Sequence, residues 1–223
     1  MTSQTADLKE QLLQSALLLF DGAVMCHSGH GNMSARVPGT EHLLLMSTQL
    51  GSAPSVEQIA TVTFDGEVVE GELPSVLREI VAMHSCVYRV RDNVGAVIHT
   101  HSPHVSSFAV AHKPLSCTYE AFLRFGITDE IPVAAWGPRG SRESVANIVE
   151  QIQQHPHAPA VLLANHGLLA FAQTPLLTAQ LIIIMEEAAE LSLRAQALGG
   201  EKPFPPGALE QERKHMQRFG SAH

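Results

Sequence analysis

Residues 94–101, VGAVIHTH, constrain this chain more than any other stretch, because they carry the alternation of a β-strand and end on two histidines at spacing two. Side chains along a strand point to opposite faces in turn. His99 and His101 therefore leave the same face, roughly 6 to 7 Å apart at the backbone. Two imidazoles on one face of a strand end can reach one ion, or they can hydrogen-bond to each other near a surface.

The segments around this strand alternate between helical and extended periods. Leu8, Leu12, Leu13, Ala16, Leu17 and Phe20 recur at helical spacing and predict an opening helix that stops near Gly22. Residues 28–39, SGHGNMSARVPG, read as a loop. HLLLMST and ATVTFDGEVVEG read as sheet, the second folding back at Asp65-Gly66. Leu77 to Val90 returns to helix, with Ile80, Met83 and Val87 on one face. After VGAVIHTH comes a loop, SPH, then a helical stretch around Tyr119 to Phe125, a short strand in IPVAAW and a turn at GPRGS. A helix from Glu143 to Gln153 precedes PAVLLANHGLLAF, a strand pair broken at Asn165-His166-Gly167. The last long helix has Thr174 as N-cap, Pro175 at its first position and Gly199-Gly200 as its stop. The tail beyond it either packs on a neighbouring subunit or stays mobile.

A chain of 223 residues with no repeat and no long linker fits one domain, residues 1–223, able to bury about 70% of its unfolded surface. Cys26, Cys86 and Cys117 are odd in number and lack CxxC spacing, which suggests neither a disulfide framework nor a cysteine zinc site and makes a reducing cytoplasm the simplest compartment. LLTAQLIIIM is about half the length of a membrane span and runs into Glu186 and Glu187, so it reads as a buried helix. A formal charge of −8 without a basic cluster argues against nucleic acid.

The compositional excess is 13 histidines. His166 follows an apolar strand and precedes Gly167, which places it at a tight opening of the sheet. Three imidazoles with one open position are the donor set of a catalytic rather than a structural metal, and zinc, manganese, iron and cobalt all suit it.

GHGNMSAR near the start, HTHSPH near the middle and NHG some sixty residues later together resemble the class II aldolase and adducin family, in the same order and along most of the chain. The resemblance implies an α/β fold with a mainly antiparallel central sheet flanked by helices, usually a homotetramer with interfacial active sites. It implies that His99, His101 and His166 hold a divalent metal, zinc in first place. It also implies an acid–base glutamate in a proline-serine-serine-glutamate run about nineteen residues before the first histidine. Counting back from His99 reaches Ile80, and the neighbouring carboxylate is Glu79. Glu79 takes that role, or it is an exposed helix residue paired with Arg78 or its neighbours. Tyr119 stands near the place of a tyrosine acid supplied from an adjacent subunit, the alternative being core packing.

For substrate, the resemblance points to Gly31, Asn32 and Ser75, with His30 and His104 flanking the motifs and Arg78 beside Glu79. MSTQLGSA replaces the expected serine-proline-serine-glycine loop, and Ser75 is alone of a serine pair. Arg36, Arg78, Arg124 and Arg139 are available to grip carboxylates in bidentate fashion. The expected activity is a metal-dependent carbon–carbon lyase on a small hydroxy-carbonyl or hydroxy-carboxylate molecule, leaning to decarboxylation of a hydroxylated aromatic acid. Aldol cleavage of a sugar phosphate is the alternative, and a non-catalytic adducin-like binding module is the rival outside enzymes. Epimerases, dehydratases and iron-dependent oxygenases of similar fold would keep the site and change the reaction.

Overall fold

A computed structural model of the chain describes residues 3–25, 30–48 and 53–219. It contains one eight-stranded sheet in the order β4-β3-β2-β1-β5-β8-β7-β6, antiparallel throughout except for the β6–β7 pair. The strands are β1 (Gly31–Val37), β2 (His42–Thr48), β3 (Ile59–Thr63), β4 (Val68–Glu70), β5 (Ala96–Thr100), β6 (Val133–Ala134), β7 (Ala160–Leu163) and β8 (Gly167–Ala172). The helices are α1 (Ser3–Asp21), α2 (Arg78–Val90), α3 (Pro103–Ala111), α4 (Glu120–Arg124), α5 (Arg142–Gln154), α6 (Pro175–Ala195) and α7 (Ala208–Phe219).

Period-two alternation divides the apolar side chains between two cores. Leu44 and Met46 of β2, Met33 and Ala35 of β1, Ile98 of β5 and Leu168 and Ala170 of β8 face α1, α3 and α6. Leu43, Leu45, Val97, Leu169 and Phe171 face α2 and α5. Most strands are thus buried on both sides, which is why HLLLMST and AVLL read as continuous apolar runs. Helix α6 lies against α1 and α3 over the central strands, and α5 against α2 on the other side. No helix among the described residues is long and apolar enough to cross a membrane.

The expected helices and strands fall close to their observed bounds, with two corrections. Residues 31–37, read as loop, form β1 at the centre of the sheet: Met33 and Ala35 enter one core while Asn32 and Ser34 face the other side, so the strand looks polar although it is buried. The loop reading of SPH is also wrong, because Ser102 is the N-cap and Pro103 the first residue of α3. The tail forms α7, which contacts α4. Cys26 and residues 49–52 of MSTQLGSA lie outside the described residues.

Thr174 caps α6 as expected, accepting a hydrogen bond from the Leu177 N–H at 3.2 Å. Thr174→Ala is expected to lower unfolding stability by about 1 kcal/mol, read from the urea midpoint at unchanged slope.

Candidate metal centre

The registers of β1, β5 and β8 assemble the site. His99 stands opposite Asn32 on β1 and opposite Leu169 on β8, on the face covered by α2 and α5. His101 continues on that face just past the strand. His166 arrives from the β7–β8 turn, where Leu163 pairs with Gly167. That turn needs its residue types: Asn165 adopts a left-handed φ of 58°, which asparagine tolerates better than most. A Cβ on Gly167 would stand 2.4 Å from the Thr100 carbonyl oxygen and 2.9 Å from Cδ2 of His101. Only glycine lets the turn come so close to β5.

His99 and His101 meet edge to face and His166 is tilted against both, with centroids 4.6 to 4.9 Å apart. One nitrogen from each lies within 4.8 Å of the others. His99 Nδ1–H donates to the Leu168 carbonyl at 2.9 Å, which leaves Nε2 with its lone pair facing His101 Nε2 at 3.0 Å. An ion about 2.1 Å from two imidazole nitrogens sets them roughly 3.0 to 3.4 Å apart, so this spacing suits neighbouring ligands of one metal. The carbonyl of Leu168 acts as the outer partner that fixes tautomer and ring orientation.

Electrostatics keep these rings neutral, as metal ligation requires. Burial lowers the His99 pKa well below its ordinary value, and His166 and His101 lower it further. Burial, His30 and Arg139 lower His101. Burial, His101 and Arg139 bring His166 down to about 4.

The histidines line a cleft of about 610 Å³ together with His30, Asn32 and Glu79. Glu79 follows the first residue of α2, with its side chain 39% exposed and an ion pair to Arg139 Nε at 2.8 Å. Its partner is thus Arg139 rather than Arg78. Ile80 is buried in the core under α2, although it also borders the cleft. Other expected residues lie elsewhere. Ser75 and Arg78 are exposed beside the start of α2 and outside the cleft. His104 sits in the first turn of α3, where Glu186 accepts from its backbone N–H and meets its Nδ1, both at 2.8 Å. Tyr119 precedes α4, and burial and the nearby Glu187 carboxylate raise its pKa. Arg36 is bound to the Tyr88 carbonyl and Arg124 to Glu120.

Sequence reasoning passed over His84. It is fully buried on α2, with Nε2 2.6 Å from Asn32 Oδ1 and Nδ1 2.8 Å from Ser34 Oγ, which in turn lies 2.7 Å from the Tyr88 hydroxyl. One proton arrangement satisfies all of them. Tyr88 donates to Ser34, Ser34 donates to His84 Nδ1, and His84 Nε2–H donates to Asn32. The Asn32 amide oxygen is therefore occupied, and its NH₂ is the group left to offer the cleft. The available signal was a histidine four residues before a tyrosine on α2, facing Asn32 and Ser34 at strand spacing.

With this geometry in view, the sequence matches the class II aldolase and adducin N-terminal domain over residues 11–193, and the chain belongs to that family. It is similar to a 5-deoxy-D-ribulose 1-phosphate aldolase of Bacillus thuringiensis, 28% identical over 165 residues and 74% of each protein. An L-fuculose phosphate aldolase of Methanococcus maripaludis is 28% identical over 187 residues, 83% of this chain and 96% of that one. Among solved structures, an L-fuculose 1-phosphate aldolase superposes with a TM-score of 0.78 at 26% identity, covering 97% of this chain and 98% of the other.

Burial brings the His84 pKa down to about 3, so in the folded protein it stays neutral where the unfolded chain takes up a proton. Its contribution to stability is complete above about pH 6.5 and is lost as pH falls towards 3, at up to about 1.4 kcal/mol per pH unit. Metal-free protein is expected to lose stability on acidification, and His84→Gln to flatten that slope, in urea titrations between pH 7 and pH 4.

Proposed function

We propose that this chain is a metal-dependent lyase of the aldolase type, cleaving a carbon–carbon bond in a small hydroxy-carbonyl substrate, with residues 1–223 acting as one catalytic domain. The observation that carries this reading is the convergence of His99, His101 and His166 on one point of a cleft that also holds a carboxylate, Glu79. The named activities of the two curated relatives, both aldolases, favour aldol cleavage over the decarboxylation that the sequence suggested.

In this reading His99, His101 and His166 hold the divalent ion, with zinc the best match to three imidazoles. When bound, it supplies Lewis acidity for the negative charge that develops on the substrate carbonyl as the bond breaks. Glu79 takes the proton of the substrate hydroxyl in cleavage and returns one to carbon afterwards. Asn32, its oxygen held by His84, donates its amide hydrogens to a substrate oxygen. The buried floor made by Ile80, Ile148 and Leu163 keeps bulk water from the reacting atoms. Tyr119 lies outside the cleft of its own chain, so any catalytic part for it is played in a neighbouring subunit of a homotetramer.

Purified protein is expected to carry about one divalent ion per chain, and His99→Ala or His166→Ala to abolish it, measured by elemental analysis. Glu79→Gln should keep the ion while kcat falls by about 10² to 10⁴. Aldehyde and carbon dioxide are followed separately with sugar phosphates and hydroxy acids as substrates. Full metal occupancy in both histidine variants would sink the site, and carbon dioxide without aldehyde would replace aldol cleavage by decarboxylation.

A further inference from the structure

The mouth of the cleft carries a cation that no part of the proposed chemistry uses. Arg139 sits on the loop between β6 and α5, in the segment Gly137-Pro138-Arg139-Gly140, and lines the same cleft as the three histidines. The loop is pressed against α2: a Cβ on Gly140, whose φ is 72°, would stand 2.6 Å from Cβ of Glu79. This close approach holds the guanidinium in place, paired with Glu79 through Nε, while 58% of the side chain remains exposed. Its charge reaches the histidines, since it lowers the pKa of both His101 and His166.

Beside its polar groups the cleft has an apolar lining. Leu77, Ile80, Met83, Val145 and Ile148 border the cleft, and Trp136, 59% exposed, stands three residues before the arginine. A polyhydroxylated sugar would leave hydroxyls unpaired against such walls, whereas an apolar body with one charged end would not. Arginine presents a planar fork that matches a carboxylate in two parallel hydrogen bonds. Ser75, the remaining member of the serine pair associated with phosphate, is exposed outside the cleft.

We infer that Arg139 is the specificity-determining residue of this cleft and that it binds the carboxylate of a hydroxy-acid substrate whose apolar part rests on Trp136 and its aliphatic neighbours. The inference rests on the cleft being the catalytic cleft of the proposed lyase. Glu79 competes with the substrate for the same cation. Carboxylate binding therefore loosens the Arg139–Glu79 pair and frees Glu79 for proton transfer.

Trp136 is the chain's one tryptophan, so its fluorescence reports occupancy of the cleft directly. Zinc-loaded protein is titrated with mandelate, with its uncharged amide mandelamide, and with glycerol 1-phosphate. Arg139→Gln is expected to weaken mandelate by about tenfold or more and mandelamide by less than about twofold, the loss of one charge-assisted pair. Arg139→Lys should restore part of that loss. Glu79→Gln should tighten mandelate severalfold, which a purely structural Arg139–Glu79 pair would not do. Equal weakening of acid and amide in Arg139→Gln would overturn the inference. So would an Arg139-dependent signal with glycerol 1-phosphate and none with mandelate. Zinc content is measured on every sample. A wild-type protein that binds no divalent ion would remove the lyase reading, while zinc-loaded protein indifferent to Arg139 would remove this inference alone.

Discussion

The antiparallel pairing of β5 with β1 and β8 decides where the functional side chains go. Asn32, His99 and Leu169 lie in one line across these three strands, all facing α2 and α5. A slip of one residue would turn His99 and His101 into the core under α1 and α6, and would bring Ile98 and Thr100 to the cleft. Register here is strongly specified because both faces are buried and differ in character. One is mainly apolar around Met33, Ile98 and Ala170, while the other mixes Val97 and Leu169 with Ser34, Asn32 and His99.

The polar part of that second face would cost a great deal if its groups were unpaired. Instead each finds a partner along the Tyr88, Ser34, His84 and Asn32 chain. The buried side-chain atoms without a partner among the described residues are Arg36 Nε, Thr61 Oγ1 and Ser106 Oγ, none of them in this chain. The geometry ties α2 to β1 at one rotation and one height, because moving the helix by a residue would break the bonds of His84 and Tyr88 together. The same helix starts at the cleft with Glu79, so the buried network also sets where the carboxylate stands. Asn32 is thereby both a strand residue and the point at which the core reports to the site.

The clustering of His99, His101 and His166 was legible in the sequence because their placement depends on strand period and on a glycine turn, both local properties. The sequence hid β1 for a related reason. In Gly31–Val37 the inward residues on one face are Asn32 and Ser34, so a buried strand carries the composition of a loop. Ser102-Pro103 was open to a helix-start reading, serine as cap and proline first, yet lay beside a histidine motif that drew attention to itself. Glu79 could be named but not aimed, since counting along the chain reached Ile80, and only the 3-10 turn at Ser75–Leu77 followed by α2 brings Glu79 to Arg139 at the cleft while Ile80 is buried in its floor. Arg139 was one of four available arginines. Its partnership with Glu79 joins segments far apart in sequence, which no periodicity records.

Charge balance explains why these groups belong together. Three imidazoles, held neutral by burial and by one another, contribute no charge, so an ion on them would be left doubly positive. Arg139 adds a further positive charge at the same cleft, and Glu79 offsets one. At short range, in a partly desolvated cleft, such an imbalance is not well screened by salt. A metal-loaded site of the proposed kind would therefore favour an occupant that brings negative charge at two points: a developing oxyanion at the histidine centre and a fixed anion at the loop. Glu79 occupies the second point when nothing else does. In the mechanism we propose, an arriving anion displaces Glu79 from Arg139 at the moment a base is needed, so that recognition of the substrate and release of the base become the same event.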